Sequence, residues 1–373
     1  MKSRLDRLRL EMERGNESVV LVTEPKNRRY LSGFTGSSGW LVVAQERAWL
    51  ITDGRYWEQV ERQAPEVEVF RYLPGEHKSQ SGALAALLKQ VGLPDFGPLT
   101  VEIDEMPIVL YRALLSMAEE NGWSLSDIEG RVKGYRTVKD SSEIEALRRA
   151  AEIADFALSA ALQNFELGQS EAALKAELDY RVLLGGGEGA SFPTIVASGA
   201  QGSFPHAGAT DKPIRSGELV TIDFGAVWGG YCSDMTRTVW WGELSERDQG
   251  LVGQVAQAQE LAVQAARPGM TTGELDEVAR ASLRRVNLAE HFLHSLGHGV
   301  GLDIHEAPTL RAGHTEILLA GQVVTIEPGV YLAGETGCRI EDTIVLNAEG
   351  PAEVLNRSPK QRVGQLAPPL LEA

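Results

Sequence analysis

The sequence predicts a two-part α+β chain, a small α/β domain followed by a larger one of long helices and antiparallel hairpins. Three observations predict it. Short β-prone runs alternate with helical periods as far as Asn121, the signature of an α/β layer. Beyond Asp140 the helical runs lengthen to about six turns. Two stretches, Thr221–Thr238 and Val323–Val345, each read as strand, glycine turn, strand.

The first domain begins with an amphipathic helix, Leu5–Glu13. Ser18–Thr23 is a short buried strand closed by Pro25. Arg29–Gly39 reads as a glycine-rich loop, and the absence of Gly-Lys-Ser/Thr argues against a phosphate loop. Trp40–Val43 and Ala48–Thr52 form a hairpin, and Tyr56–Gln63 a helix. Strand Val67–Tyr72, helix Gly82–Val91, strand Leu99–Ile103 and helix Met106–Asn121 continue the alternation. Arg131–Lys139 marks the boundary, which divides the chain into residues 1–133 and 134–373.

The second domain opens on Asp140-Ser-Ser-Glu143, a capping box, and a long helix Glu143–Asn164 follows. Another helix starts at Ser170 and stops at Gly185–Gly187. Ser191–Ser198 is a strand. The first acid-bearing hairpin comes next, then helices Glu246–Ala266 and Thr272–Val286. Strands and loops run to about Val354, and a polar, Pro-rich tail ends the chain.

Composition narrows the function. Hydrophobic content of 43% and charged content of 24% are those of a soluble globular protein. A net charge of −16 argues against nucleic acid and anionic membranes as partners. The N-terminus has no apolar signal core and no run is long enough to span a membrane. Cys232 and Cys338 are the only cysteines, too few for a disulfide framework and consistent with the cytoplasm.

The chemistry collects in two acid pairs. If the first turn centres on Trp228-Gly229, Asp223 lies opposite Asp234, with both carboxylates on one face. Like charges so close repel unless a cation sits between them. Glu327 and Glu341 are equidistant from Gly334, so the second hairpin opposes two more acids. Two such hairpins supply four carboxylates, and one imidazole completes five ligands. That set suits two hard or borderline divalent ions, Mn²⁺, Co²⁺, Fe²⁺ or Zn²⁺. Six of the seven histidines follow residue 200, and His294, His298 and His305 fall within one glycine-rich stretch. Gly297, Gly299 and Gly301 exclude the helical zinc pair there and let the backbone approach a ligand or take positive φ. His77, His291 and His314 read as structural. Cys232 and Cys338 read as small buried residues behind the acids.

Asp223-Phe-Gly, Ser233-Asp-Met-Thr-Arg-Thr238, His298-Gly-Val-Gly, Glu327-Pro-Gly and Arg339-Ile-Glu-Asp342 occur in order. In these motifs the chain resembles the Xaa-Pro peptidases, prolidase and aminopeptidase P, of the creatinase and methionine-aminopeptidase "pita-bread" metallopeptidase family. Arg29–Ser37 and Thr52–Tyr56 extend the resemblance loosely into the first domain. It implies a curved, mainly antiparallel sheet with helices on its outer face, preceded by a creatinase-type α/β domain. It implies metal ligands Asp223, Asp234, His298, Glu327 and Glu341, with Asp234 and Glu341 bridging two ions. It places His206 over the scissile bond, His305 and His294 in the active site, and Arg339 behind a ligand carboxylate. A homodimer is implied in the same way.

The implied reaction is hydrolysis of the Xaa-Pro bond by a water activated between the ions, with Glu327 moving its proton. His206 and His305 then stabilise the oxyanion. The compact length favours a dipeptidase. The alternative is an aminopeptidase acting on longer peptides, and Arg311 and Arg55 are candidates for catching a proline carboxylate. A binding protein on the same scaffold, for peptide or nucleic acid, is the alternative of a different class.

Overall fold

The computed structural model describes residues 3–91 and 98–360; the Pro-rich tail lies outside them. The chain divides into two compact units, Met1–Arg136 and Thr137–Ala373.

In the first unit a capping box, Ser3 with Asp6, starts α1 (Arg4–Arg14), which buries Leu5, Leu8 and Met12. There follow β1 (Val19–Val22), α2 (Pro25–Ser32), β2 (Trp40–Ala44), β3 (Ala48–Thr52), α3 (Trp57–Gln63) and β4 (Glu68–Arg71). Next come α4 (Gln80–Gln90), β5 (Leu99–Val101), α5 (Ile108–Asn121), β6 (Leu125–Asp127) and α6 (Arg131–Arg136). The strands form one mixed sheet in the order β4-β3-β2-β1-β5-β6. The first part of the expected Arg29–Gly39 loop is helical. Pro25 fits a first helical turn, where its missing N–H is not needed, and the Glu24 side chain caps that turn. β6 and α6 were also not expected, because three and six residues are too short to show a period.

The second unit starts with α7 (Ser141–Asn164), whose Asp140–Glu143 capping box is present, and α8 (Glu171–Leu184), capped by Ser170. The strands that follow are β7 (Gly189–Ala190), β8 (Ile195–Ser198), β9 (Val220–Phe224), β10 (Ala226–Trp228), β11 (Tyr231–Cys232) and β12 (Met235–Val239). Helices α9 (Glu246–Ala265) and α10 (Thr272–Arg284) come next. The rest is β13 (Gly297–Gly299), β14 (Glu306–Leu310), β15 (Val323–Ile326), β16 (Gly329–Leu332), β17 (Thr336–Arg339), β18 (Asp342–Val345) and β19 (Glu353–Val354). All strand pairs of this unit are antiparallel.

Two helix pairs back two hairpins. Leu158, Leu174, Leu178, Ile222, Phe224 and Met235 join α7 and α8 to the first hairpin. Leu251, Val255, Leu275, Val324, Ile326 and Ile344 join α9 and α10 to the second. Strand side chains alternate between faces. While Val220, Ile222 and Phe224 turn to the helices, Thr221 and Asp223 turn away from them. Val324 and Ile326 likewise leave Thr325 and Glu327 on the far face. The acids therefore share the side of each sheet that the helices do not cover.

The first hairpin departs from the expected register. Trp228 faces Tyr231, so the turn falls on Gly229-Gly230. Both glycines have positive φ, 56° and 75°, as a two-residue turn matched to strand twist requires. Asp223 therefore faces Thr236 rather than Asp234, and Asp234 lies diagonally on the same face. The second hairpin has the expected register. Ile326 faces Asp342 and Gly329 faces Arg339, which leaves Glu327 opposite Glu341.

Candidate metal centre

In both hairpins the acids lie where the ladder is interrupted. β9 gives way to β10 at Gly225, where an added Cβ would lie 1.8 Å from Ser233 O. β15 gives way to β16 at Glu327-Pro328, since proline cannot donate to the ladder. Freed there, backbone groups tie the hairpins together. Glu341 N donates to Thr236 O at 3.0 Å, and Arg237 donates to Glu341 O.

Asp234, His298 and Glu341 each offer one ligand atom, and these lie within 4.8 Å of one another. His298 Nε2 is 3.5 Å from Asp234 Oδ2 and 3.4 Å from Glu327 Oε1. Its Nδ1 is 3.0 Å from Gly299 O. A carbonyl only accepts, so Nδ1 carries the proton and the Nε2 lone pair faces the acids. Asp223 joins through Arg339, whose Nη2 donates to Asp223 Oδ2 at 2.6 Å. Arg339 Nε donates to Thr236 Oγ1 at 3.1 Å, and Thr236 donates on to Glu341 Oε2 at 2.7 Å. One guanidinium thus orients an acid from each hairpin. Behind Glu327, Thr325 Oγ1 donates to Oε1 at 3.3 Å.

The electrostatics fit divalent ions. Burial raises the Asp234 and Glu341 carboxyls well above the usual range, and repulsion from neighbouring acids adds to it. Glu327 is pushed up to about 8, mainly by burial. Burial lowers His298 to about 4, so its imidazole is neutral and ready to ligate at neutral pH. Burial opposes the Arg339 charge, but Tyr331, Asp223, Glu327 and Glu341 hold its pKa above the ordinary value. Asp223 Oδ1 is buried and has no hydrogen-bond partner. A bare, buried carboxylate oxygen beside three more carboxylates and a free imidazole lone pair is the donor set of a hard or borderline cation.

The remaining residues separate into two groups. His206 and His305 are exposed, and the His305 ring stacks edge-on with that of His298 at 4.3 Å. His294 is half-buried and engaged at both nitrogens, to Ser295 O at 2.8 Å and Tyr331 Oη at 2.9 Å. Tyr331 Oη in turn accepts from Arg339 Nη1 at 2.6 Å. His294 thus ends a chain that runs through Tyr331 and Arg339 to Asp223. Tyr331, Thr236 and Thr325 were missed from sequence, where each reads as an ordinary strand residue. Their position on the acid face is the signal that could have found them.

Other expectations are tested by position. Gly297 and Gly299 serve close backbone packing, against Thr325 O and Ala307 O, rather than approach to a ligand. Cys338 is in the apolar core with its thiol pushed up to about 12 by burial, and Cys232 is buried. His77 Nδ1 accepts from Leu73 N at 3.2 Å, a structural role. Arg55 donates to both oxygens of Asp53 at 2.8 Å. Arg311 is exposed.

A buried oxygen-rich cluster with one imidazole is a donor set suited to divalent cations. The sequence profile of metallopeptidase family M24 matches residues 145–348, and that of the creatinase/prolidase N-terminal domain matches residues 4–138. The chain belongs to metallopeptidase family M24 and has its pita-bread fold. The Xaa-Pro dipeptidase of Pyrococcus furiosus is 34% identical over 94% of this chain and 97% of the relative. A solved Xaa-Pro dipeptidase from Bacillus anthracis matches with a TM-score of 0.89 at 36% identity, over 96% of this chain and 98% of that one. A solved X-Pro aminopeptidase from Thermotoga maritima matches at 0.86 and 35%, over 94% and 99%.

Proposed function

We propose that this peptidase hydrolyses Xaa-Pro dipeptides, with two divalent ions held by Asp223, Asp234, His298, Glu327 and Glu341. The observation that carries the reading is the convergence of Asp234, His298 and Glu341 beside the bare Oδ1 of Asp223. The ions supply an activated water and positive charge at the scissile carbonyl. Glu327 takes the proton of that water and delivers it to the proline nitrogen, which has no N–H of its own before cleavage. Its carboxylate lies 3.4 Å from His298 Nε2. His206 and His305, exposed on the open side, donate to the developing oxyanion. Arg339 holds Asp223 and, through Thr236, Glu341 in place.

The dipeptide reading is supported by relatives that carry that name. The likeness to an X-Pro aminopeptidase favours the second reading, in which longer peptides are cleaved. In the dipeptidase version Arg311 and Arg55 are the two candidates for the proline carboxylate, and unchanged dipeptide activity in Arg311→Ala would remove Arg311. Mn²⁺ is the metal we favour, on the hardness of a four-carboxylate set. A cytoplasmic homodimer is our reading of the cellular form. It follows from the resemblance alone, and size-exclusion chromatography with light scattering tests the dimer.

Chelation followed by Mn²⁺ addition tests the proposal, with Ala-Pro and Ala-Pro-Ala as parallel substrates. Restored cleavage of Ala-Pro alone is expected. Equal cleavage of the tripeptide would establish the aminopeptidase instead, and no cleavage of either would end the enzymatic reading.

A further inference from the structure

Glu171, at the start of α8, has none of its surface exposed, and the roles proposed above make no use of it. Its Oε1 accepts from the backbone N–H and the hydroxyl of Ser198, at 2.8 and 2.6 Å. Its Oε2 accepts from the backbone N–H and the hydroxyl of Thr210, at 3.0 and 2.6 Å. Lys212 donates to Ser198 Oγ at 2.7 Å and to Glu218 at 2.6 Å. A carboxylate removed from water is costly unless donors meet it, and here four do.

Ser198 and Thr210 are the two ends of one segment. It leaves β8, turns through the 3₁₀ stretch Gly199–Ser203, and carries Phe204-Pro205-His206. One carboxylate therefore pins both ends of the loop that holds His206. The middle of the loop is tied from the metal side, where Arg339 Nη1 donates to Pro205 O at 3.1 Å. Gly334 N also donates to Ser203 Oγ, at 3.3 Å. The His206 side chain is exposed, so its aim is set by this backbone.

We propose that Glu171 is a positioning residue for His206, acting through the two ends of its loop. The inference rests on His206 being the group that stabilises the oxyanion. Glu171→Gln keeps the shape but replaces one acceptor oxygen with an NH₂ donor. A hydroxyl can rotate to accept from it, whereas the Ser198 or Thr210 backbone N–H cannot. Displacing the imidazole should lower kcat for Ala-Pro about 100-fold. KM and bound metal should stay within about twofold, because ground-state binding and ligands are untouched.

The deciding measurement is a double-mutant cycle on metal-loaded enzyme. In a His206→Ala background, Glu171→Gln should lower kcat no further, whereas a general structural role would multiply the losses. Thr210→Val, which removes the hydroxyl that donates to Glu171 and accepts from Lys212 N at 3.2 Å, should lower kcat about tenfold alone and not at all in that background. It decides the matter if Glu171→Gln does not fold. Unchanged kcat in His206→Ala would overturn the role of His206 itself. A reduced kcat in His206→Ala that falls further with either second substitution would overturn the positioning role of Glu171 alone.

Discussion

Four carboxylates share one face with a single guanidinium, and each residue of the centre is explained by that imbalance. Asp234→Asn removes one repelling charge and one ligand while keeping the shape. Metal content should drop and kcat fall more than about 100-fold. The metal-free variant should melt no lower than the metal-free parent, since a buried charge has gone. Calorimetry with metal analysis reads both. Tyr331→Phe should leave metal binding nearly intact and lower kcat/KM about tenfold, because Arg339 and His294 lose the oxygen that joins them. At this scale the clustering of Asp234, His298 and Glu341 was legible, because acids in β-prone runs on both sides of glycine turns are unusual without a cation. Tyr331 and the threonines were not, since such residues are common in any strand. The engagement of His294 with Tyr331 was not legible, because it depends on a fold that brings distant segments together.

The hairpin is the element that converts sequence spacing into ligand geometry. In the second hairpin the register followed from the midpoint at Gly334, and Glu327 and Glu341 do face each other. In the first, centring the turn on Trp228-Gly229 put it one residue early, and the positive φ of both Gly229 and Gly230 decides it. Gly229→Val should cost about 1–2 kcal/mol in urea unfolding. Gly229→Asn should cost much less, since Asn tolerates the left-handed region. The long helices were legible from their period and caps. α2 was hidden by a proline that reads equally well as a stop or as a first turn.

For the whole molecule, the metal-free centre links stability to pH. Glu327 has a folded pKa of about 8, above its ordinary 4.5. Its contribution is therefore present at low pH and lost as pH rises through about 8. His294 and His298, lowered to about 4, are neutral in both states above about pH 7 and add no slope there. Metal-free protein should lose melting temperature from about pH 7 to about pH 8.5. Metal-loaded protein should lose much less, because the cations hold the carboxylates ionised. Scanning calorimetry at both pH values compares the two. The overall architecture was legible because alternation gave way to long helices and hairpins near residue 140. The resemblance implied helices on the sheet's outer face, but which helix pair backs which hairpin was not legible, because those contacts join segments far apart in the chain.

The most direct test of the account is to titrate chelated enzyme with Mn²⁺ and measure bound metal and Ala-Pro hydrolysis on the same samples. About two ions per chain are expected, with activity rising as they bind and neither appearing in Asp234→Asn. Full hydrolysis at no bound metal, or tight binding of metal by Asp234→Asn with unchanged activity, would contradict it.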